Sequence, residues 1–519
     1  MFRGFEIVLT GDEGLVSTYS KSHYLGFASG LPMDIFPSFF DKLLFPTASG
    51  EHGRMKTSQY GLCKIEASLL DNGFSRENVA IVDPRRLDEA VGPNTRAVGI
   101  GVLDPLGINY GTMLLRYVLR LMGINARFQS YMSWATMRIL GHPVIKKHRS
   151  RLKVIVGGQG VWEIIDSGLR ARLGIDTLVE GEGELVAPSI FAKAIKGEEL
   201  VPYVKGPPVP VEKIPIIRTP SRGIVEITRG CGRGCRFCNP TLLMYRNIPM
   251  EKIIREIEVN VAGGEKKILL HSEDFLRYGS SDIYPRRDKL LNLINTVRRM
   301  PGVEDVTFDF VTPSTVMTEP KLVKEASELI GNNSFRIIEI GIESASPRVI
   351  SMIAPGKPRP FSPDDWPDVV EKAVNVLNDA GWWICATIIV GLPGETPEDV
   401  DKNLRLVERL EPHDVFIFPL PFVPSGSLRK KKKLGVEDIL PRGYENLTLI
   451  FVAVYDAIKK LRKLSWRLVE SAPKPLIPIL GGLLYFASTV GLRRLQRANF
   501  EGVLESTTVQ YNKIMSRSA

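Results

Sequence analysis

The sequence predicts an α/β protein made of two successive βα series and a helical C-terminal region. Three observations carry that expectation. Short continuous apolar runs of strand length alternate with segments whose apolar residues recur at helical spacing, as in parallel sheets covered on both faces. One proline-rich stretch, VPYVKGPPVPVEKIPIIRTPSRG (201–223), interrupts the alternation, which then resumes. Past residue 427 no further strand pattern occurs and the chain turns basic. A length of 519 residues exceeds one ordinary domain, and 44% apolar with 24% charged residues is the composition of a folded globular protein.

In the first series the strands are FEIVLT (from Phe5), VAIVD (from Val79), AVGIGVLD (from Ala97), LKVIVGG (from Leu152) and TLVEGEGE (from Thr177). GLCKIEASLLDNGF and GTMLLRYVLRLMG fall between them with helical spacing. Five such strands make a doubly wound, flavodoxin-like sheet over residues 1–200, with ligands expected beyond the strand C-termini. Residues 201–222 read as a linker. The second series, 223–428, runs GIVEITRG, KKILLHSED, VEDVTFDFVTP, FRIIEIGIES, WWICATIIVGLPGE and HDVFIFPLPFVP. After its first strand, Met250, Ile253, Ile254, Ile257 and Val261 share one face of a helix. Six βα units are too few for a closed eight-stranded barrel and predict a partial one, (β/α)6.

The last region, 429–519, opens with RKKKK and continues in a basic helix carrying Lys459, Lys460, Arg462, Lys463 and Arg467. PLIPILGGLLYFASTVGL (475–492) follows, bounded by Lys474 and Arg493. These uncharged residues lie at the lower limit for a bilayer span, and their prolines and glycines oppose a straight one. They predict an interfacial hairpin or a lid over an apolar substrate, with basic flanks meeting anionic headgroups; a buried helical cap on the barrel is the alternative. The net charge of +10, much of it in the last ninety residues, points to a local anionic contact rather than a chain-wide nucleic-acid surface.

Chemistry concentrates in EITRGCGRGCRFCNPTLLMY (226–245), where Cys231, Cys235 and Cys238 stand within eight positions, among five cysteines in all. Disulfides would leave one of the three unpaired, and nothing at Met1 reads as a secretory signal, so a cytoplasmic thiolate site is expected. Cys63 and Cys385 stand alone in apolar sequence and read as core. Structural zinc calls for four ligands, normally in two spaced pairs, and no second pair lies nearby. Three thiolates suit a [4Fe-4S] cluster with one iron open to an external ligand, placed after a strand at the mouth of a partial barrel.

The C-x3-C-x2-C spacing, with Phe237 before the third cysteine, resembles the radical S-adenosylmethionine (SAM) superfamily. The resemblance implies that the open iron binds the methionine amino and carboxylate groups of SAM. Reduction then yields a 5'-deoxyadenosyl radical that takes hydrogen from substrate. It further assigns Phe237 beside the cluster, Glu273 and Asp274 of HSEDF near the methionine amine, and Glu343 of EIGIESASPRV at the ribose. Gly391, Pro393 and Gly394 of TIIVGLPGET fall near adenine. HSEDF lacks the glycines usual in that turn.

The two-part layout resembles the cobalamin-binding radical SAM enzymes. LTGDEGLVSTY, VLDPLGIN, VIVGGQGVWEI and DTLVEGEGE are similar to an archaeal-type group of them, over about residues 5–425. This implies cobalamin at the ends of the third and fourth strands, where Asp104, Gly107, Gly111, Gly157, Gly158 and Gly160 let backbone approach the corrin. The family's Asp-x-His-x-x-Gly cobalt-ligand loop is only half present: KSHYLG supplies His23 and Gly26, but Lys21 replaces the aspartate that would orient the histidine. No G-x-G-x-x-G opens a helix, which disfavours a nicotinamide cofactor.

The expected activity is therefore a cobalamin-dependent radical SAM enzyme acting at an unactivated carbon, by C-methylation or C–C bond formation, with a membrane lipid as a plausible substrate. It would draw on a low-potential donor of ferredoxin or flavodoxin type and sit in the cytoplasm or peripherally on the membrane. A radical SAM enzyme without cobalamin, forming C–C or C–S bonds, is the first alternative. Methylthiolation is disfavoured because no upstream cysteine trio exists for a second cluster. A metal-dependent nucleic-acid-binding protein using the basic tail is the second alternative.

Overall fold

The computed structural model describes residues 2–19, 23–32, 41–124, 129–242, 244–331, 335–429, 444–470 and 472–497. Lys21, the side chain of His23 and Lys430–Lys433, all singled out above, lie outside the described residues.

The first sheet contains β1 (Ile7–Gly11), β2 (Val79–Ile81), β3 (Ala97–Gly101), β4 (Lys153–Gly157), β5 (Thr177–Gly181) and β6 (Tyr203–Gly206), all parallel in the order 2-1-3-4-5-6. Strands β1 to β3 are apolar without alternation because helices cover both faces. Val8, Ala80 and Val98 enter one core cluster; Ile7, Leu9, Val79 and Ile81 enter the other. The order reverses between β1 and β3, the position where a doubly wound sheet opens a crevice beyond its strand ends. β6 is a sixth strand, found inside the segment read from sequence as linker. The prolines there begin at its flanks and leave YVKG free to pair with β5.

The second unit holds β7 (Ile224–Glu226), β8 (Lys267–His271), β9 (Asp305–Phe308), β10 (Ile337–Glu343), β11 (Trp383–Val390) and β12 (Val415–Pro421). They pair in parallel as β7-β8-β9 and β10-β11-β12, and a parallel bridge from Phe310 to Glu339 joins the two triplets. The result is the expected six-stranded partial barrel. Its helices bury one apolar face each, as Met250–Ala262 does with Ile253 and Ile257.

Helix Tyr60–Asp71 of the first unit meets Met250–Ala262 of the barrel through buried polar groups. Lys64 Nζ lies 2.5 Å from Glu256 Oε1, and Tyr60 Oη donates to Glu256 Oε2 at 2.7 Å. Lys64 also donates to the Pro215 carbonyl, and the Ile217 amide donates to Glu256, so the connecting segment is pinned at the same point.

The C-terminal region contributes helices Tyr444–Leu464, packed on β12, and Ile477–Leu495, packed on the first. The apolar stretch expected to form an interfacial hairpin is instead one continuous helix. Pro478 falls in its first turn, where a missing N–H costs little. Its glycines make close packing possible: a Cβ on Gly481 would collide with the Trp466 ring, and one on Gly491 would lie 2.9 Å from Met122 Cε. No helix among the described residues is long and apolar enough to cross a membrane.

Glu256→Ala should strand Lys64 as an uncompensated buried charge and cost about 3–5 kcal/mol. A lower midpoint in urea for the Ala variant, recovered in a Lys64→Met/Glu256→Leu protein, is the expected outcome.

Candidate functional site

The cysteine loop leaves β7 and is held from three directions. Arg229, two residues before Cys231, donates to Glu226 at 2.9 Å, to Glu182 at 2.7 Å and to Glu184 at 2.9 Å. Glu182 also accepts from Arg246 at 2.5 Å, so two carboxylates of the first unit grip two arginines of the barrel. All of these side chains are buried. Burial alone would raise Glu226, but the Arg229 guanidinium holds it below the usual carboxylate range; Arg246 and Arg229 do the same for Glu182.

Arg233, inside the loop, reaches the other way. Its guanidinium donates to the carbonyls of Gly356, Lys357 and Arg359 and to Thr315 Oγ1 at 2.6 Å. A Cβ on Gly356 would collide with the Arg233 carbonyl, so this loop crosses directly on the cysteine loop. The third support follows β12: Ser427 N donates to the Arg236 carbonyl at 2.8 Å and Ser425 Oγ to the Phe237 carbonyl at 2.5 Å. Gly426 sits between them with φ +57°, and a Cβ there would run into the Cys238 carbonyl.

The three thiols are sheltered, and burial pushes each above its ordinary value, Cys235 to about 11. They stay protonated unless a metal displaces the proton. No group of three His, Cys, Asp or Glu among the described residues is gathered closely enough for a single metal ion. Thiolates of a cubane cluster bind different irons, so the trio's donor set fits a cluster better than one ion held at ~2.3 Å by every sulfur.

Beside the trio lies a pair that sequence reading half missed. Lys357 Nζ, delivered by the loop that Arg233 clamps, is hydrogen-bonded to Glu343 Oε1. Burial works against its charge, but the Glu343 carboxylate raises it, so Lys357 is an ammonium beside the cysteine loop. Glu343 has φ +64° at a register shift in β10, and a Cβ on Gly341 would collide with both partners. The glycine of EIGIES was the available signal.

Of the other SAM candidates, Phe237, Glu273 and Glu343 line the central cavity. Asp274 does not: it is fully buried and accepts from Thr315 Oγ1 at 2.7 Å, from Thr312 N and from Arg233. Gly391, Pro393 and Gly394 form a turn outside the cavity lining, with the Gly391 amide donating to Glu395 at 2.9 Å and Pro393 and Gly394 exposed.

A polar belt lies one layer down. By register Glu226 is beside His271 on β8, and Glu339 on β10 is beside Cys385 on β11. His271 Nδ1 meets Asp309 Oδ2 at 2.5 Å. Burial opposes protonation of His271, but Asp309, with Glu273 and Glu226, lifts it to about 10. Burial, aided by Asp309, raises Glu339 to about 7. Barrel interiors are normally filled by branched apolar residues, so this belt departs from the packing rule and faces the cavity. Cys385, read as core, is buried but belongs to the belt's cavity wall; Cys63 packs in the core of the first unit.

In the first unit Gly111, Gly157 and Gly158 line the cavity, whereas Asp104, Gly107 and Gly160 do not. Asp104 accepts from the Asn109 amide and Thr112 Oγ1 and so staples the loop after β3. Gly160 is required by packing, since a Cβ would collide with the Leu103 carbonyl. Gly158, φ +108°, is required for the same kind of reason: a Cβ would lie 2.5 Å from the Val102 carbonyl. At Gly111 a Cβ would meet only Asn109 Oδ1, at 4.0 Å. The cavity measures about 3300 Å³ and runs from the cysteine loop to the strand ends of the first sheet. That exceeds by more than threefold the upper range of ~1000 Å³ for a single-ligand pocket.

Residues 225–407 match the radical SAM superfamily. Among curated proteins, the chain is 29% identical over 198 residues to the ribosomal protein uS12 methylthiotransferase RimO of Leptospira biflexa, 38% of this chain and 41% of that one. It is 30% identical over 213 residues to the tRNA-2-methylthio-N(6)-dimethylallyladenosine synthase of Clostridium tetani, 40% of this chain and 44% of that one. The chain thus spans less than half the length of these relatives. Among solved structures, the radical S-adenosylmethionine methyltransferase TsrM from Kitasatospora setae, with cobalamin and [4Fe-4S] cluster bound, superposes with a TM-score of 0.51 at 15% identity. That likeness covers 82% of this chain and 74% of TsrM, and it extends the shared fold across both units.

Replacing Arg229 with Met leaves Glu182, Glu184 and Glu226 sharing one fewer cation in a buried space. A loss of about 3–5 kcal/mol is expected. Because the depressed Glu182 and Glu226 carboxylates stabilise the fold above the unfolded value near pH 4.5 and lose that contribution as pH falls through their folded values, the wild type should hold its junction below pH 4.5 and the variant should not. Limited proteolysis at the junction across that pH range reads the difference.

Proposed function

We propose that this chain, which carries a radical SAM domain over residues 225–407, is a cobalamin-dependent radical SAM enzyme that functionalises an unactivated carbon by C-methylation or C–C bond formation. The observation that carries the reading is the continuous cavity joining the cysteine loop to a glycine-edged wall of a doubly wound domain. The fold shared with TsrM, whose structure holds cobalamin and a [4Fe-4S] cluster, supports it. When bound, the cluster with SAM would supply one-electron chemistry and the corrinoid a carrier for carbon.

The chain's own residues do the rest. Cys231, Cys235 and Cys238 hold the cluster, on a loop fixed by Arg229, Arg233 and Gly426. Lys357 balances thiolate charge and, with Glu343, offers one donor and one acceptor to the polar ends of SAM; Glu273 offers a second carboxylate nearby. Gly111, Gly157 and Gly158 present backbone where a flat macrocycle can approach. Glu339 is poised near neutrality to accept a proton from substrate, and the charged His271–Asp309 pair orients it.

The names of the curated relatives favour sulfur transfer as a second reading. Against it, the cysteines left outside the trio are Cys63 and Cys385, single buried residues on different units.

Anaerobically reconstituted protein should bind iron and sulfide and cleave SAM reductively. Cys231→Ala, Cys235→Ala and Cys238→Ala should each abolish both, and Cys63→Ala neither. Reductive cleavage retained by Cys235→Ala would sink the cluster assignment. Supplied with hydroxocobalamin, the wild type should keep about one corrinoid per chain through desalting, and Gly111→Trp should lose it with its iron intact. Iron–sulfur loading without any retained corrinoid would leave the alternative without cobalamin.

Glu339→Gln should lower turnover by about 100-fold or more. The activity of the wild type should rise through about pH 7 as Glu339 ionises, and that limb should be missing from the variant's profile.

A further inference from the structure

Helix Ile477–Leu495 has two apolar faces with different partners. The inner face packs on the rest of the chain: Leu480, Leu492 and Leu495 are buried, and Leu480 joins a cluster with Phe45 and Tyr131 of the first unit. The outer face meets solvent, with Phe486 69% exposed, Ile479 49%, Tyr485 48% and Leu483 38%; Trp466, from the preceding turn, is 48% exposed. These are five of the twelve large exposed apolar side chains among the described residues, gathered into 21 consecutive positions. Scattered apolar side chains call for no explanation, but a contiguous patch of this kind marks a contact.

The charges around the patch say what the contact is. Between 462 and 497 seven cations are exposed, with Lys474 just before the helix and Arg493 and Arg494 in its last turn, against the single exposed acid Glu470 among the described residues. A protein partner of mixed surface would meet little that is complementary to it, and a nucleic acid would meet an apolar centre. An apolar strip with cations at both ends matches a bilayer interface, acyl chains under the strip and anionic headgroups at its ends. The helix also has a direct link to the reaction chamber. Leu483 and Phe486, exposed on the outside, line the central cavity as well, together with Leu476, Leu480 and Leu484. Leu483 and Phe486 thus join the patch to the cavity wall.

We infer that helix Ile477–Leu495 docks this protein on the surface of an anionic lipid bilayer, lying in the interface with Ile479, Tyr485 and Phe486 immersed and the cavity mouth turned towards the acyl chains. The substrate class that follows, an apolar molecule resident in the membrane, rests on the reading of the cavity as a reaction chamber; the docking itself does not.

The test is flotation of the full-length, iron-loaded protein with vesicles of equimolar phosphatidylglycerol and phosphatidylcholine, and with phosphatidylcholine alone. The wild type should float with the anionic vesicles and progressively less as salt shortens the screening length from ~30 Å at 0.01 M to ~10 Å at 0.1 M. Ile479→Ser/Phe486→Ser should lower the partition coefficient by about tenfold or more. Arg493→Glu/Arg494→Glu should remove the preference for phosphatidylglycerol. Circular dichroism and iron content of each variant show that the fold is kept, so loss of docking is distinguishable from failure of the cluster assignment. The inference is overturned if the wild type stays unfloated with both vesicles, or if the Ser variant floats like the wild type. It is also overturned if the wild type is a dimer in sedimentation equilibrium that the Ser variant dissociates, since the patch would then be an interface between copies.

Discussion

The arrangement depends on one buried electrostatic knot. Arg229 stands where β7 becomes the cysteine loop, and its guanidinium is shared by Glu226 of the same strand and by Glu182 and Glu184 at the end of β5. Glu182 extends the knot to Arg246, on the far side of the loop. A buried guanidinium is tolerable only among compensating carboxylates, and the reverse holds for the carboxylates. Neither unit is therefore electrostatically complete alone. The contact that joins the domains also sets the position from which the first cysteine departs.

The cavity inherits its character from that junction. The strand ends of the doubly wound sheet face the open mouth of the barrel, so one wall carries Gly111, Gly157 and Gly158 among apolar side chains such as Leu114 and Trp162, while the other carries the ionisable belt. At the cysteine loop Lys357 is paired with Glu343; in the belt below, His271 is paired with Asp309 and Glu339 stands beside them, raised to about 7 by burial. This places a group that titrates near neutrality on the cavity wall, where it can exchange a proton.

Much of this was legible in the sequence because it is written locally. Continuous apolar runs identified five strands of the first sheet and six of the barrel, and the cysteine spacing located the loop. What escaped depends on contacts between distant segments. YVKG reads as a break between prolines, and only pairing with β5 makes it a strand. The glycines and prolines of 475–492 read as breakers; in the fold Gly481 and Gly491 are the places where Trp466 and Met122 approach, and one helix results. Asp274 and Glu273 are adjacent in sequence, yet one is consumed by Thr315 and Arg233 while the other faces the cavity. Lys357 carries no motif at all. Its position follows from the carbonyls that Arg233 captures, 123 to 126 residues away.

The bracing of the cysteine loop also bears on the order of events at the ribosome. Its contacts come from residues just before it, from 356–359, and from 425–427, which cross beneath it at Gly426. Domains generally form from the N-terminus as the chain emerges, so the first sheet can close while the thiols still hang on an unbraced segment. The cysteine loop is fully braced only once translation has passed residue 427. Until then the three cysteines lack the 425–427 brace, so under the proposed assignment a carrier delivering a preassembled cluster would meet a receptive site only late in synthesis.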